Sequence, residues 1–185
     1  MGKAISSLGV ALLVKAYVEK TTDATYDAEK VYYEKKTINA VDYYVVSNDT
    51  TLDNLYEIVA STTASAINAW VQPVCLTDVP DIGGEYENIE TTTLCDSQRT
   101  YIQGILDAGE SLDFTANYIH SVFIAIKSYI EGSELPCKIV FGGIGGDQGS
   151  VSFNGYVSAR INGFGVNEVV PMTISVAIAS ELTYA

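Results

Sequence analysis

The sequence has few of the residues on which catalytic and metal sites are usually built. It contains one histidine, His120, and three cysteines that are widely spaced and form no CxxC pair. Zinc sites use several cysteine or histidine ligands at close spacing, so no zinc centre is predicted. The odd number of cysteines argues against a disulfide framework and favours a reducing compartment in which Cys75, Cys95 and Cys137 are packing residues.

Positive charge is also scarce, and the few cations are unevenly placed. The chain has 10 lysines and arginines against 23 acids, for a formal charge of −13. Residues 1–40 hold six lysines and five acids, whereas residues 41–185 hold four cations and 18 acids and therefore carry −14. Nucleic-acid binding depends on neutralising phosphates with lysine and arginine. The body of the chain is therefore unsuited to it and would repel nucleic acid, although solubility alone would also explain the charge.

Prolines and long apolar runs are few. Only four prolines occur in 185 residues and 48% of the residues are hydrophobic, which is typical of a folded chain. The length suits one domain with a buried core. No segment is long enough to predict a transmembrane helix. Lys3 precedes an apolar run at residues 8–14, but Lys15 ends that run and no cleavage site follows, so no signal peptide is expected.

Valine, isoleucine, threonine and tyrosine are abundant, which favours β-strands. Apolar and polar residues alternate along residues 111–118, 151–161 and 170–178, as in strands with one buried face. Glycine-rich turns join a further segment, 136–141, to the two strands that follow it, and this predicts an antiparallel meander. Shorter or weaker strands are predicted at residues 8–18, 41–46, 69–77 and 86–94.

One helix is predicted among these strands, because apolar residues recur at helical spacing over residues 119–130. Asn117 is suited to cap its start and Gly132 to end it. Its apolar stripe is expected to pack on the sheet, with a subunit interface as the alternative. Residues 53–60 show a weaker helical periodicity. Residues 19–40 are polar and charged, and they are predicted to form an extended loop or arm with little core of its own.

No motif predicts catalysis, a cofactor or a metal. The glycines at 142–149 lack the lysine and hydroxyl residue of a phosphate loop, and a strand follows them, so a hairpin turn is predicted. Glu85, Glu87 and Glu90 fit neither a calcium loop nor any recognised pair of hydrolase acids, which favours a solvated acidic face. No Ser-His-Asp or Cys-His arrangement is evident, so we expect that the protein is not an enzyme.

The middle of the chain carries a distinctive series of motifs. DVPDIGGE at 78–85 is followed by ETTTL at 90–94 and by Tyr101-Ile102 with Gly104. These motifs, in this order, resemble the central signature of the tail tube proteins, or major tail proteins, of long-tailed bacteriophages.

Further segments extend the resemblance. SLDFTANY at 111–118 resembles the family's next strand, and FNG at 153–155 with GVNE at 165–168 resembles its C-terminal hairpin. The similarity covers residues 71–180 and, more loosely, 5–20, whereas residues 21–70 match nothing in the family pattern.

The resemblance implies a fold and an assembly. The fold would be an antiparallel β-sandwich or barrel with one flanking helix and extended arms, in a single tail tube domain over residues 1–185 with 19–40 as the arm. Identical subunits would form hexameric rings that stack into a hollow tube and conduct DNA into the host. Neighbouring sheets would join edge to edge by β-augmentation, with contacts that close laterally and stay open along the axis.

The same resemblance implies the partners and the location. Further copies of the chain, the tape-measure protein, the tail terminator and the distal tail proteins would bind it, while DNA would pass without specific binding. The protein would reside in the virion tail after assembly in the cytoplasm of the bacterial host.

A tube would give the acidic charge a role, because carboxylates lining the lumen repel phosphates within about 10 Å at 0.1 M salt. The candidate lumen-facing acids are Glu85, Glu87, Glu90 and Asp113. The candidates for a strand edge that pairs with another subunit are Thr91, Thr92 and Thr93, whose alternative is a strand internal to one subunit.

Two alternatives stay open at this stage. The chain could be the tube subunit of a phage-tail-like bacteriocin or injection apparatus, since such machines share this subunit. It could also be a secreted or cell-surface β-sandwich that binds a ligand, against which the odd cysteine count and the N-terminal sequence argue.

Overall fold

The fold is known from a computed structural model, and its strands hold about half of the residues that it describes. Short helical segments add little, so the chain is mainly β, as the composition predicts. The structure describes residues 9–23, 25–27, 29–47, 51, 54–93, 97–107, 111–144 and 148–185, with the backbone alone described at 105–107.

Within these ranges the strands are, in chain order, β1 (Ala11–Lys20), β2 (Tyr33–Ile38), β3 (Val41–Val46), β4 (Leu55–Ile58), β5 (Ile67–Val71), β6 (Leu76–Asp78), β7 (Glu85–Glu90), β8 (Tyr101–Asp107), β9 (Ser111–Asn117), β10 (Glu134–Val140), β11 (Ser150–Ile161), β12 (Pro171–Ile178) and β13 (Thr183–Tyr184). The longest helical interruption between strands lies between β9 and β10 and consists of α1 (His120–Ala125) and a π-helical turn (Ile126–Ile130).

The first five strands close on themselves as a small barrel. They pair in the order β1, β4, β2, β3, β5 and back to β1. The pairing of β3 with β5 is parallel and the other four are antiparallel. The closure depends on the length of β1, which pairs with β5 along one edge and with β10 and then β4 along the other. This ring uses most of its own strand edges, as barrels do.

The second half of the main sheet runs β1, β10, β11, β12, β9, β6, and every pairing in it is antiparallel. Cys137 lies opposite Phe153 between β10 and β11, and Ile174 of β12 lies opposite both Ala159 and Phe114. The meander predicted from the glycine-rich turns is therefore confirmed.

The core follows the alternation that the sequence displays. The buried residues of β11 are Val151, Phe153, Val157 and Ala159, and those of β9 are Leu112, Phe114 and Ala116. Leu12, Leu13 and Val14 of β1 are all buried in sequence, because both faces of this strand are covered. Ile161, the last residue of β11, is about half exposed and lies beyond the part of β11 that pairs with β10.

The predicted helix exists and packs as expected, but its cap is different. Val122, Ile126 and Ile130 are buried in the same core as the sheet, and Gly132 follows the helical segment with φ of +86°. Asn117 does not cap the helix, because it stays in β9 opposite Pro171. Ile119 occupies the N-cap position, and no side chain caps the first turn.

Residues 19–40 do not form the expected arm. Residues 33–38 are strand β2, which forms a hairpin with β3, and Tyr32 and Tyr33 are almost fully buried. The Tyr33 hydroxyl donates a hydrogen bond to the carbonyl of Pro73 at 2.9 Å, and burial raises the pKa of its phenol. The polar residues that suggested an arm include residues 34–37 of β2, which are exposed or half-buried, and Lys35 pairs there with Asp42 at 2.7 Å.

Two further sequence predictions need correction. The helical periodicity at residues 53–60 is misleading, because Leu55–Ile58 is the short strand β4 with Leu55 and Ile58 buried at its ends; Asp53 lies outside the described residues. The single strand predicted at 69–77 is two strands, β5 and β6, separated by a segment that contains Pro73, which has no N–H to donate to a ladder. Among the helical residues described, no segment is long and apolar enough to cross a bilayer.

Candidate assembly surfaces

The motif-bearing segment forms a hairpin that stands apart from the main sheet. Strands β7 and β8 pair only with each other, and their extensive contacts are likewise with each other. Every residue of β7 is exposed. None of the described side chains of β8 is buried either, and a two-stranded hairpin without a packed face is marginally stable in water at best.

The hairpin is nevertheless rich in apolar side chains. Tyr86, Ile89, Tyr101 and Ile102 are between 46% and 55% exposed. Exposed single apolar residues are common, but a cluster on one projecting element is typical of a binding surface. The alternation of acids with these residues in β7 was the available sequence signal for such a surface.

The three candidate acids of β7 lie on different faces of the hairpin. Successive side chains of a strand point to opposite faces, so Glu85 and Glu87 share one face with Ile89, and Glu90 lies on the other. Ile89 stands opposite Ile102, whereas Glu90 stands opposite Tyr101. The structure therefore does not bring these acids together into one acidic face.

Gly104 makes the hairpin irregular. The register shifts between Tyr86 and Asn88, so that β8 carries one more residue than β7 in that interval. A Cβ atom at position 104 would lie 2.9 Å from the carbonyl oxygen of Glu87 and 3.1 Å from the side chain of Ile89. Only glycine permits this close approach, which explains the glycine in the sequence motif.

The candidate threonines close the end of the hairpin within the chain and lie outside its strands. The backbone N–H of Thr91 donates to the carbonyl of Thr100 at 2.9 Å, and the N–H of Thr100 donates to Oγ1 of Thr92 at 3.0 Å. These bonds favour an internal role for Thr91 and Thr92 over an edge that pairs with another subunit. Thr93 follows them and is exposed.

Asp113 belongs to a different surface. It lies on the solvated face of β9, and its carboxylate accepts a hydrogen bond from the Arg160 guanidinium of β11 at 2.9 Å. On the same face, Glu134 accepts hydrogen bonds from Asn154 at 3.2 Å and from Tyr156 at 3.5 Å. This sheet face carries hydroxyl and amide groups, and one of its acids is neutralised by a neighbouring cation.

Two stretches of strand have an open edge. The partner β6 covers β9 only at Thr115 and Ala116, so residues 111–114 have no strand beside them on that edge among the described residues. The partner β10 covers β11 only as far as Tyr156, which leaves residues 157–161 similarly open on the side away from β12. These stretches belong to the two strands that flank β12, so their open edges point in opposite directions within the sheet. Such edges are templates for pairing with another chain.

A cleft of about 320 Å³ lies between α1, β4 and the segment that leads into β2. Its walls include the apolar side chains of Val31, Ile58, Ile124 and Tyr129. Ile124 and Tyr129 are nearly half exposed, although Tyr129 belongs to the stripe that the sequence assigned to the core. The predicted stripe is therefore buried on one side only and presents apolar surface on the other.

Polar groups at the side of this cleft form a charged network. Lys30 lies 2.8 Å from a carboxylate oxygen of Asp23 and 3.5 Å from one of Glu57, and Tyr32 donates to Asp23 at 2.8 Å. The hydrogen bond from Lys30, followed by that from Tyr32, lowers the pKa of Asp23. Hydrogen bonding to Asp23 raises the pKa of Lys30. Two carboxylates thus share one ammonium group, which leaves one negative charge in excess.

The cysteines and the histidine form no reactive site in the described part of the chain. Cys137 is buried, and burial raises the pKa of its thiol to about 12, so it is unreactive at neutral pH. Cys75 is an exposed free thiol, and Cys95 lies outside the described residues. His120 lies on the cleft wall, with Nδ1 2.9 Å from the hydroxyl of Tyr118. No group of three potential metal ligands occurs within the described ranges.

No protein-family model matches the chain, and a search of curated proteins finds no match either.

Proposed function

We propose that this protein is a structural subunit that assembles with further copies of itself into the tail tube of a bacteriophage, as stacked hexameric rings. The observation that carries the proposal is the hairpin β7–β8, which exposes apolar residues on both faces and buries none of its described side chains. Such an element is stabilised when a second surface covers it. The motif resemblance of the same segment supplies the identity of the assembly.

In this proposal the hairpin β7–β8, and not residues 19–40, is the extended arm that contacts another subunit. A strand of six residues such as β7 extends about 20 Å at 3.3 Å per residue. An arm of this length reaches the next subunit rather than its own sheet. Ordering on a neighbour supplies the burial that the isolated hairpin lacks.

The open edges support a lateral contact between copies. Residues 111–114 of one subunit and 157–161 of the next have open edges that point in opposite directions. Because β9 and β11 both run antiparallel to β12, they are parallel to each other, so a rotation that continues the sheet would pair them in parallel and head to tail. A heterologous contact of this type generates a ring when its rotation closes. Backbone hydrogen bonds across it would give one continuous sheet, in the manner of β-augmentation.

The charge distribution suits a conduit that DNA crosses without binding. Asp113 contributes little net charge because Arg160 neutralises it. We therefore assign more of the repulsion to Glu85, Glu87 and Glu90, which have a single ion-pair contact among the described residues, from Arg99 to Glu90 at 3.9 Å. In this proposal the virion tail is the site of action, and the tape-measure, terminator and distal tail proteins are further partners.

Negative-stain electron microscopy of the purified protein, before and after concentration, tests this function. We expect hollow tubes or six-fold rings whose abundance rises with concentration. A variant that lacks residues 85–107, closed by a short glycine-serine linker, should stay monomeric with the main sheet intact. A protein that stays monomeric when concentrated and when co-expressed with the genes that flank its own, and that instead binds a glycan or a surface protein, would contradict the proposal.

A bacteriocin or injection apparatus would give the same tubes, because the subunit contacts are the same. The neighbouring genes distinguish these machines. Terminase and capsid genes beside this one indicate a complete phage, whereas tail genes without them indicate a phage-tail-like particle.

A further inference from the structure

We propose that hairpin β7–β8 of one subunit docks on the outer face of the barrel of a second copy, where Lys15 lies beside Trp70. The face of the hairpin that docks is the one that carries Ile89 and Ile102. The inference rests on the proposed self-assembly and names the surface that receives the hairpin. It joins an exposed acidic and apolar face to a partly exposed basic and aromatic one.

The docking face of the hairpin combines two acids with an apolar pair. Ile89 stands opposite Ile102. Glu85 and Glu87 share their face, because side chains two residues apart on a strand point the same way. Neither glutamate forms an ion pair with another described residue. The acids lie towards the root of the hairpin, where Glu85 begins β7, and the isoleucines lie towards its turn.

A row of four side chains crosses the outer face of the barrel. Lys15 of β1 lies opposite Trp70 of β5. Trp70 also lies opposite Tyr43 of β3, which in turn lies opposite Lys36 of β2. The residues on either side of Lys15 in β1 are buried in the core, so the row points outward. Lys36 pairs with Glu34 at 2.8 Å, so that end of the row is neutral.

The other end of the row is positively charged. The ammonium group of Lys15 lies 5.1 Å from the centre of the Trp70 ring. Lys138 of β10 lies opposite Leu13, two residues before Lys15 on the same face. Neither lysine forms an ion pair with another described residue. In a chain of charge −13, these two lysines form a local basic patch that attracts carboxylates.

The basic patch has a boundary on each side. Leu13 is fully buried, so the chain already covers the face at that point. On the other side, Glu134 shares the outer face of β10, four residues before Lys138, and it would repel the acids of the hairpin. An acidic partner is therefore attracted to the row of Lys15 itself, and this fixes where the hairpin docks.

The groups follow the same order on the two surfaces. Across the barrel, Lys15 is followed by Trp70 and then Tyr43 at a strand spacing of about 4.8 Å. Along β7, Glu87 and Ile89 are about 6.6 Å apart. When Glu87 meets Lys15, Ile89 therefore lies over the aromatic rings. Burial of apolar area and pairing of opposite charges then occur in one contact.

The proposed lateral contact brings these surfaces near each other. In that contact, β9 of one copy lies beside residues 157–161 of the next copy, beyond the end of its β10. The hairpin ends at Asp107, four residues before Ser111, and so within about 14 Å of the start of β9. From β11 the sheet of the next copy continues through β10 to β1. The hairpin therefore approaches the row from its Lys15 end, with its acids first.

Exchange of charges between the two surfaces tests the contact. Lys15→Glu and Glu87→Lys should each raise the critical concentration for assembly about tenfold or more, because each places like charges together. The double variant restores the attraction and should assemble within about threefold of the unchanged protein. Lys20→Glu is the matched control, since it makes the same change in net charge on the other face of β1. It should leave the critical concentration within about twofold, and circular dichroism confirms that each variant is folded.

Tryptophan fluorescence reports on the receiving face, because Trp70 is the single tryptophan of the chain. Assembly should shift its emission to shorter wavelength and lower its quenching by acrylamide at least about threefold. The variant that lacks residues 85–107 should show neither change at the same concentrations.

Disulfide trapping between separately prepared subunits locates the contact. In a background with Cys75→Ser and Cys95→Ser, one pool carries Glu87→Cys and a second carries Lys15→Cys. The mixed pools are concentrated to assemble and oxidised with copper phenanthroline, which accepts the two electrons released when two thiols lose their protons and join. Mass spectrometry of linked peptides should find the 87–15 bond at least about tenfold above the bond in a control mixture with Lys20→Cys.

The outcomes separate this contact from the assembly itself. Rings or tubes that form with unchanged quenching of Trp70 and without the 87–15 bond overturn the docking site and leave the tube function standing. A charge-exchanged double variant that assembles no better than its single parents does the same. The absence of any assembly across all concentrations and in co-expression overturns both proposals.

Discussion

Substitution of Gly104 by alanine should impair assembly while leaving the stability of the main sheet unchanged. The added Cβ would lie 2.9 Å from the Glu87 carbonyl oxygen and 3.1 Å from the Ile89 side chain. The backbone contact cannot relax by a rotamer change, so the hairpin must shift its register or lose the bulge. Because β7 and β8 pair only with each other, the strain stays within the hairpin.

The magnitude follows from the cost of overpacking. Forcing an additional methyl group against fixed neighbours costs about 2 kcal/mol. The isolated hairpin has no comparable stability to lose, so the cost appears when the hairpin must order on another subunit. At 1.4 kcal/mol per tenfold change in an equilibrium constant, the critical concentration should rise about thirtyfold. The melting temperature of the body should shift by less than about 2 °C.

Sedimentation of assembled material measures the critical concentration, and a thermal melt followed by circular dichroism measures the stability of the sheet. Gly163→Ala is the matched control, because a Cβ at position 163 meets nothing within 4 Å. Gly163→Ala should neither raise the critical concentration nor lower the melting temperature. An unchanged critical concentration for Gly104→Ala, or a melting temperature lowered by several degrees, would refute the argument that the hairpin is energetically separate and needed for assembly.

Three further substitutions test the body of the protein. Gly155→Ala places a Cβ 2.7 Å from the Ala177 carbonyl oxygen and should lower the melting temperature by roughly 4–8 °C. Tyr33→Phe leaves the buried Pro73 carbonyl without its hydrogen bond, which should cost about 1–3 kcal/mol in urea unfolding. Asp23 has a lowered pKa and Lys30 a raised one, so their pair stabilises the fold fully between the unfolded pKa values of about 4 and about 10. That stability is lost as pH falls through the folded pKa of Asp23 or rises through that of Lys30, and Asp23→Asn should flatten the acid side of the pH–stability curve.

The strands that the sequence reveals are those with one buried and one solvated face. Residues 111–117 and 150–161 alternate cleanly because the core covers only one side of them. Strand β2 was missed because most of its residues are charged and solvated, and its burial is concentrated at Tyr33, with Tyr32 just before it. Strand β4 has four residues, too few for a period of 2 to be distinguished from one of 3.6.

The candidate surfaces were only partly predictable, because they depend on pairing between distant residues. The sequence identifies residues 78–104 as unusual but does not show that a bulge near Gly104 separates Glu85 from Glu90, which lies at the turn end of the hairpin. It likewise gives no sign that Arg160 neutralises Asp113, since these residues are 47 positions apart and meet only across β12. The cleft also could not be predicted from the sequence. One wall comes from β4, where a helical periodicity suggested a helix, and the other from α1, which has Ile119 and not Asn117 at its N-cap.

Under the proposed function the subunit must also avoid polymerising too early, and two features of this chain act in that direction. Copies that each carry −13 repel one another over the Debye length, so assembly is opposed until close contacts form. The hairpin adds an entropic cost, because an element that is marginal alone must be ordered when it binds. In the proposed tube, burial of the hairpin on a neighbouring copy would offset both terms only where the receiving surface is already positioned, as on the end of a growing ring or tube. The same hairpin would therefore make nucleation of the proposed assembly unfavourable, and an initiating surface of the right geometry would control where tubes begin.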